Sequence, residues 1–116
     1  MRLEQVIKGL ALAEVCPGTG VEREVSGAYC SDMLSDVMAH AQPGDVWITV
    51  QTHQNCVAVA MMAELTGVVL TRGMRPDPEM AEKASREGVA LLTTGLTSFE
   101  VAGRLFCLLR QERGEC

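Results

Sequence analysis

Four polar segments of this 116-residue sequence carry the side chains best suited to bind a ligand: residues 27–32, 51–55, 71–75 and 93–98. They are rich in hydroxyl and amide groups and include arginine and histidine. Arginine, hydroxyls and the free N–H groups of helix starts are what binding of a phosphate or carboxylate requires. The sequence therefore predicts a site for a small anionic ligand. Its candidate residues are Thr52, His53, Asn55, Thr71, Arg72, Gly73, Thr94, Thr97 and Ser98.

His53 is the histidine in these segments, and its imidazole makes it a candidate general base, metal ligand or hydrogen-bonding spacer. No carboxylate lies within a helical turn of it in sequence, and the second histidine, His40, falls in a different predicted helix. We therefore predict no catalytic residue. The alternative is a small enzyme of phosphoryl chemistry that uses His53 with the hydroxyl of Thr52 or Ser98.

Motifs for cofactors and metals are absent from the sequence. There is no G-x-x-x-x-G-K-[ST] phosphate loop, and the Gly18-Thr19-Gly20 turn is too short for a dinucleotide fingerprint. The five cysteines lack the local pairs that zinc and iron–sulfur sites use. Asp32 and Asp36 are predicted to lie on a solvated helix face. We expect no cofactor and no metal, and we expect the cysteines to be small buried apolar residues in a reducing compartment.

Charge and hydropathy exclude several classes of partner. Ten Lys and Arg against fifteen Asp and Glu give a net charge of −5, which argues against nucleic-acid or anionic-membrane binding. No apolar run reaches the 18 residues of a membrane span, and the N-terminus lacks the pattern of a signal peptide. We expect a cytoplasmic protein with a single domain over residues 1–116.

An alternation of apolar strands and amphipathic helices predicts where these segments lie. Continuous β-branched and aliphatic runs are typical of parallel strands that are buried on both faces. Such runs occupy residues 46–50, 68–71 and 89–93, and two further strands are predicted at residues 12–16 and 24–28. The fold class is therefore α/β: a three-layer sandwich with a mostly parallel sheet of about five strands and helices on both faces. The candidate residues follow the strands, at the edge where ligands bind in such sheets.

Five helices are predicted from apolar spacing and end signals. Their inward residues are expected to be Leu3, Val6, Ile7 and Leu10 in the first; Leu34, Val37, Met38 and Ala41 in the second; Val57, Ala60, Met61 and Leu65 in the third; and Val101, Leu105, Leu108 and Leu109 in the fifth. The second should start near Ser31-Asp32, and the third should end at Gly67. The fourth should start at Asp77-Pro78 and end at Gly88, and the fifth should open on a Thr97–Glu100 capping box.

Several ordered patches resemble the small DRTGG-domain proteins. They are residues 27–38, residues 44–49 with His53-Gln54-Asn55, residues 70–76, and Thr97-Ser98-Phe99-Glu100. The similarity runs from about residue 25 to residue 110. DRTGG domains resemble the N-terminal, non-kinase domain of HPr kinase/phosphorylase. They also occur between the CBS domains of regulated pyrophosphatases, where they contribute to dimerisation.

The resemblance implies a non-enzymatic regulatory or accessory domain that binds a small anionic ligand, such as a nucleotide, or a partner protein. Stand-alone members are often encoded near iron-only hydrogenase genes, which implies a link to electron transfer and a redox-enzyme partner. A docking subunit of a redox complex is thus a further alternative. The family similarity and the seven methionines, among them Met33, Met38, Met61 and Met62, also predict a homodimer.

Overall fold

The computed structural model describes residues 1–114 as five helices around a five-stranded sheet. The helices are α1 (Leu3–Leu10), α2 (Leu34–His40), α3 (Asn55–Met62), α4 (Pro78–Glu87) and α5 (Ser98–Glu112). The strands are β1 (Ala13–Glu14), β2 (Gly27–Cys30), β3 (Asp45–Thr49), β4 (Gly67–Leu70) and β5 (Leu91–Thr93). Within the described chain, none of these helices is both long and apolar enough to cross a membrane.

The sheet has the order β1-β5-β4-β3-β2, with β2 to β5 parallel and β1 antiparallel to β5. Each step from β2 to β5 moves one place in the same direction along the sheet. Because strand–helix–strand connections are right-handed, α2, α3 and α4 must then lie on one face. The predicted α/β sheet of about five mostly parallel strands is confirmed.

Two apolar layers cover the sheet. On one face, α1 and α5 contribute buried Leu3, Val6, Val101 and Leu105, which pack with Ile48, Val69 and Leu92 of the strands. On the other face, Val37, Val57, Ala60, Met80 and Ala84 of α2, α3 and α4 pack with Trp47, Val68, Leu70 and Leu91. Successive strand residues therefore face opposite layers, and the predicted three-layer sandwich with helices on both faces is confirmed.

The predicted bounds of the second strand and the second helix are wrong. The strand is residues 27–30 instead of 24–28, because the N-terminal segment pairs with the residues before it: the N–H of Val25 donates to the carbonyl of Met1 at 2.7 Å. The helix begins at Leu34 and not near Ser31-Asp32. The Ser31 hydroxyl accepts a hydrogen bond from the N–H of Met33 at 3.2 Å, which holds the preceding turn outside the helix.

The third helix is shorter than predicted. It ends at Met62, and Glu64 adopts a left-handed conformation with φ of 58°, so the chain leaves the helix before Gly67, which instead opens β4. Leu65 is buried as expected but lies outside the helix. Met61 and Met38 were predicted to face inward, and the structure leaves 43% and 39% of them exposed. Both methionines therefore lie on the outer surface.

The other helix ends match their sequence signals. Asp77 stands at the N-cap of α4 with Pro78 in the first turn, and Gly88 closes the helix with φ of 72°. Thr97 and Glu100 form the capping box of α5. The first strand is confirmed in place but covers only Ala13–Glu14 of the predicted residues 12–16. The sequence therefore predicts helix ends most accurately where a capping residue or a glycine marks the end of the helix.

Two apolar side chains test how much the α4 layer stabilises the fold. Met80 is fully buried between α4 and the sheet, whereas Phe99 on α5 is 86% exposed. Met80→Ala should lower the free energy of unfolding by about 2–5 kcal/mol through lost burial and a residual cavity. Phe99→Ala should change it by less than about 0.5 kcal/mol. Urea unfolding of both variants measures the difference, and equal effects would contradict the described packing.

Candidate functional site

The carboxyl ends of the four parallel strands lie at one edge of the sheet, where the candidate residues were predicted. After β4 the chain continues to α4 on one face, and after β5 it continues to α5 on the opposite face. Loops that diverge to opposite faces leave a crevice between two strand ends, which is the usual ligand position in open α/β sheets. The loops after β4 and β5 are therefore the first place to look for a site.

Backbone hydrogen bonds join these two loops directly. The N–H of Arg72 donates to the carbonyl of Leu96 at 2.8 Å, and the N–H of Gly73 donates to the carbonyl of Thr94 at 2.9 Å. Arg72 and Gly73 both have positive φ, 58° and 71°. A left-handed arginine costs about 1–3 kcal/mol, so the paired loops must hold it. These backbone hydrogen bonds close the space between the two strand ends. A ligand would therefore bind on the outer surface of the loops.

Most of the predicted hydroxyls at this edge bond to neighbouring protein groups. The hydroxyls of buried Thr71 and half-buried Ser98 lie 2.7 Å apart and hydrogen-bond to each other. The Thr94 hydroxyl accepts from the N–H of Leu96 at 3.1 Å, and the Thr97 hydroxyl accepts from the N–H of Glu100 at 3.1 Å. Hydrogen bonds from Thr97 to the Glu100 carboxylate lower the pKa of Glu100. These hydroxyls fix the loops in place.

A cavity of about 410 Å³ opens beside the paired loops. Its walls come from the α1–β1 turn, from the loop after β4, and from the end of β5. The lining residues are Ala11, Ala13, Gly73, Met74, Arg75, Thr93, Thr94 and Gly95. Arg72 and Arg75 are exposed, and neither guanidinium forms a hydrogen bond or ion pair with any of residues 1–114. The cavity thus combines an unpaired positive charge with hydroxyl groups and with no lining carboxylate.

Thr52 and His53 lie in the neighbouring loop after β3, and Asn55 is the first residue of α3, which follows that loop. Exposed His53 accepts a hydrogen bond on Nδ1 from the N–H of Asn55 at 3.1 Å, so a neutral imidazole carries its proton on Nε2. The carbonyl of Thr52 accepts from the N–H of Asp77 at 3.0 Å, which links this loop to the start of α4. The fold therefore places six candidate residues in the two joined segments after β4 and β5, and it places Thr52, His53 and Asn55 after the neighbouring strand β3. The six are Thr71, Arg72, Gly73, Thr94, Thr97 and Ser98.

Asp32 has a role that its sequence position did not indicate. It lies before α2 and not on it, and its Oδ1 accepts from the Thr49 hydroxyl at 2.9 Å and from the N–H of Val50 at 3.0 Å. The carboxylate therefore ties the loop after β2 to the end of β3. The prediction of a solvated helix residue is wrong for Asp32, because its partners are distant in sequence.

A second set of polar contacts joins β2 to α2. The Tyr29 hydroxyl donates to the Asp36 carboxylate at 3.0 Å, and His40 Nδ1 lies 3.0 Å from Asp36 Oδ1. Hydrogen bonds from Ser31, Tyr29 and His40 lower the pKa of Asp36, and burial raises the pKa of Tyr29. Asp36 and His40 are four residues apart, a spacing that makes two side chains neighbours on a helix, so this contact could have been predicted from the sequence.

The four cysteines of the described chain, Cys16, Cys30, Cys56 and Cys107, are free thiols. The prediction that the cysteines are buried is confirmed for Cys56 and is wrong for Cys30 and Cys107, which are exposed. Burial raises the pKa of Cys56, at the start of α3, to about 11. Among residues 1–114, no three His, Cys, Asp or Glu side chains come together in a way that could hold a metal ion.

Comparison with known proteins identifies the family of this chain and a solved structure with a similar fold. The family model described as the DRTGG domain matches residues 11–107. A crystal structure of the CBS and DRTGG domains from the regulatory region of Clostridium perfringens pyrophosphatase, in complex with the activator diadenosine tetraphosphate, has a similar fold with a TM-score of 0.63. It is 21% identical in sequence, and the match covers 90% of this chain and 45% of that chain. No curated protein matches the sequence.

The contacts of Asp36 predict a pH-dependent contribution to stability. Since the folded-state pKa of Asp36 is lowered, its stabilising effect is present above the unfolded pKa of about 3.9 and is lost as pH falls through the folded value. Asp36→Asn should therefore destabilise the protein most near neutral pH, and the difference from wild type should shrink below about pH 4. Urea unfolding between pH 2 and pH 7 measures this, with Glu79→Gln as the exposed control. A pH-independent difference would contradict the described hydrogen bonds.

Proposed function

This chain belongs to the DRTGG domain family, and from that premise we propose that it is a regulatory domain which binds a small anionic ligand at the loops after β4 and β5. DRTGG domains are regulatory modules and not catalytic ones. One observation supports the position of the ligand above all others. Arg75 lies in the wall of a cavity lined by hydroxyl groups and has no ion-pair partner among residues 1–114.

Local charge favours an anion here although the whole chain carries −5. None of the lining residues has a carboxylate, and Arg72 adds a second positive charge in the same loop. The N-terminus of α5 at Thr97-Ser98 follows directly after the loop that supplies Thr94 and Gly95. A helix start attracts an anion by about 0.3–1 kcal/mol, and a charge-assisted hydrogen bond adds about 1.5–3 kcal/mol. Such a site suits micromolar to millimolar affinity.

The ligand class that we propose is a phosphorylated small molecule such as a nucleotide. A planar guanidinium binds phosphate oxygens through two parallel hydrogen bonds, and threonine hydroxyls complete such a site. The pyrophosphatase relative was crystallised with a nucleotide activator in a region that includes a DRTGG domain. This chain spans about 45% of that region, so a nucleotide ligand for the isolated domain is our proposal.

The enzyme alternative has weak geometric support. His53 Nδ1 already accepts a hydrogen bond from the N–H of Asn55, and the Ser98 hydroxyl is already hydrogen-bonded to the Thr71 hydroxyl. A general base needs a reacting proton within hydrogen-bond reach, and the histidine that pairs with a carboxylate is His40, at the far end of α2. The redox-enzyme partner, the hydrogenase link and the cytoplasmic location stay predictions. The four free thiols are consistent with a reducing compartment.

We further propose that the protein is a homodimer through the outer surface of α2 and α3. Met33, Met38, Met61 and Met62 are all exposed, by 63%, 39%, 43% and 69%. Met33 precedes α2, Met38 lies in α2, and Met61 and Met62 lie in α3. Both helices pack on the same face of the sheet. Exposed methionines are adaptable apolar contacts, and groups of them are typical of protein interfaces. A second copy would remove this apolar surface from water.

Removal of one guanidinium tests the anion site. Arg75→Ala should weaken the binding of AMP and of inorganic phosphate at least about tenfold, because a charge-assisted hydrogen bond is lost. His53→Ala should have a smaller effect, since His53 lies in the neighbouring loop. Arg104→Ala, an exposed arginine on α5, is the matched control and should bind as wild type does. Calorimetric titration gives the dissociation constants, and equal binding by Arg75→Ala and wild type would refute the site.

A charge placed on the methionine surface tests the dimer. Multi-angle light scattering at tens of micromolar should return twice the chain mass for wild type. Met38→Glu with Met62→Glu should return the monomer mass, because two carboxylates would be buried without partners. Phe99→Glu, at an 86% exposed position on the opposite face, should remain dimeric. A wild-type monomer mass would show that the proposal is wrong.

A further inference from the structure

A second cavity lies at the other edge of the sheet, between β2 and α5. Its volume is about 320 Å³, and it shares no lining residue with the anion site. The walls are mostly apolar, with Ala28 and Ile48 from the sheet and Ala102, Phe106 and Leu109 from α5. Phe106 is 60% exposed, which is unusual for an aromatic ring beside a sheet edge. We name this cavity the β2 groove.

The sheet edge beside the β2 groove has unpaired backbone groups. β2 is the last strand in the sheet, and among residues 1–114 it pairs only with β3, in the register Ala28↔Val46 to Cys30↔Ile48. The N–H of Ser31 donates to the carbonyl of Ile48, so Tyr29 and Ser31 direct their backbone groups toward β3. Since alternate residues of a strand point to opposite sides, the N–H and C=O groups of Ala28 and Cys30 point away from the sheet. Both residues are exposed.

One end of the β2 groove is basic. Nη2 of Arg113 donates to the carbonyl of Ser26 at 2.9 Å, which fixes the guanidinium beside the residue that precedes β2. The Arg110 guanidinium lies over the Phe106 ring, 5.3 Å from its centre. None of the ten lining residues has a carboxylate, although the chain is acidic overall. The positive charge therefore stands at the N-terminal end of β2.

We propose that the β2 groove binds the carboxyl-terminal end of an extended partner peptide, which pairs with β2 as an antiparallel strand. Outward N–H and C=O groups at Ala28 and Cys30 supply the main-chain bonds, as in other cases of strand addition. A small apolar side chain of the peptide enters the groove beside Phe106. An antiparallel strand ends at the start of β2, so its terminal carboxylate meets Arg113. This charge match selects a chain end over an internal segment.

The probe is a short acetylated peptide of alternating threonine and valine with a free terminal carboxylate, compared with the same peptide as its terminal amide. In ¹H–¹⁵N NMR titrations, the amide signals of Ala28 and Cys30 should shift on addition of the acid. The amide form should bind about tenfold more weakly, since it cannot form an ion pair with Arg113. Equal binding of the two forms, or shifts confined to residues outside the groove, would overturn the proposal.

Two variants separate the backbone contact from the charge. Ala28→Pro removes an outward N–H without touching the β3 pairing, and it should abolish peptide binding. Arg113→Gln should weaken binding of the acid peptide about tenfold and leave binding of the amide peptide unchanged. Arg104→Gln, at an exposed position of α5 that does not line the β2 groove, should change neither. Unchanged binding in Arg113→Gln would refute the assignment. A drop in oligomeric mass for Ala28→Pro would show that a second copy occupies this edge and would also overturn the proposal.

Discussion

The burial of β3 and β4 on both faces is the constraint on which the rest of the structure depends. All five residues of β3 and all four of β4 are buried. Trp47 lies in one apolar layer and Ile48 in the other, so neither face of the sheet can be left to solvent. Helices must therefore cover both faces. Right-handed connections place α2, α3 and α4 on one face, and α1 and α5 cover the other. Polar chemistry is left to the strand ends and the sheet edges.

The polar groups at the strand ends fall into two sets: those that form hydrogen bonds within the loops, and those that form none and are available to a ligand. Most hydroxyl and carboxylate groups there form hydrogen bonds that hold the loops: the Thr71 hydroxyl bonds to the Ser98 hydroxyl, and the Asp32 carboxylate accepts from the Thr49 hydroxyl. These bonds hold the loops in one arrangement before a ligand arrives, which reduces the ordering cost of binding. The guanidinium groups of Arg72 and Arg75 take no part in them. The cavity beside β5 is thus a preformed surface with positive charge.

Net charge describes this protein poorly, because its arginines are placed unevenly. The chain carries −5, yet both cavities discussed above include arginine and lack a lining carboxylate. Arg75 marks one end of the sheet, and Arg113 marks the start of the opposite edge strand. The net charge of the whole chain therefore does not describe the local charge at either cavity.

The sequence by itself determined the α/β class, the number of strands and the residues that follow them, because apolar runs, caps such as Thr97–Glu100 and glycines such as Gly88 act over a few residues. It did not determine that Asp32 would reach Thr49, that Met61 would face outward, or that the loops after β4 and β5 would share hydrogen bonds. Those outcomes depend on groups that are distant along the chain and meet only when the sheet forms. The cavity of Arg75 and the free edge of β2 were likewise decided by strand order, since a local pattern carries no information about which strand is last in the sheet.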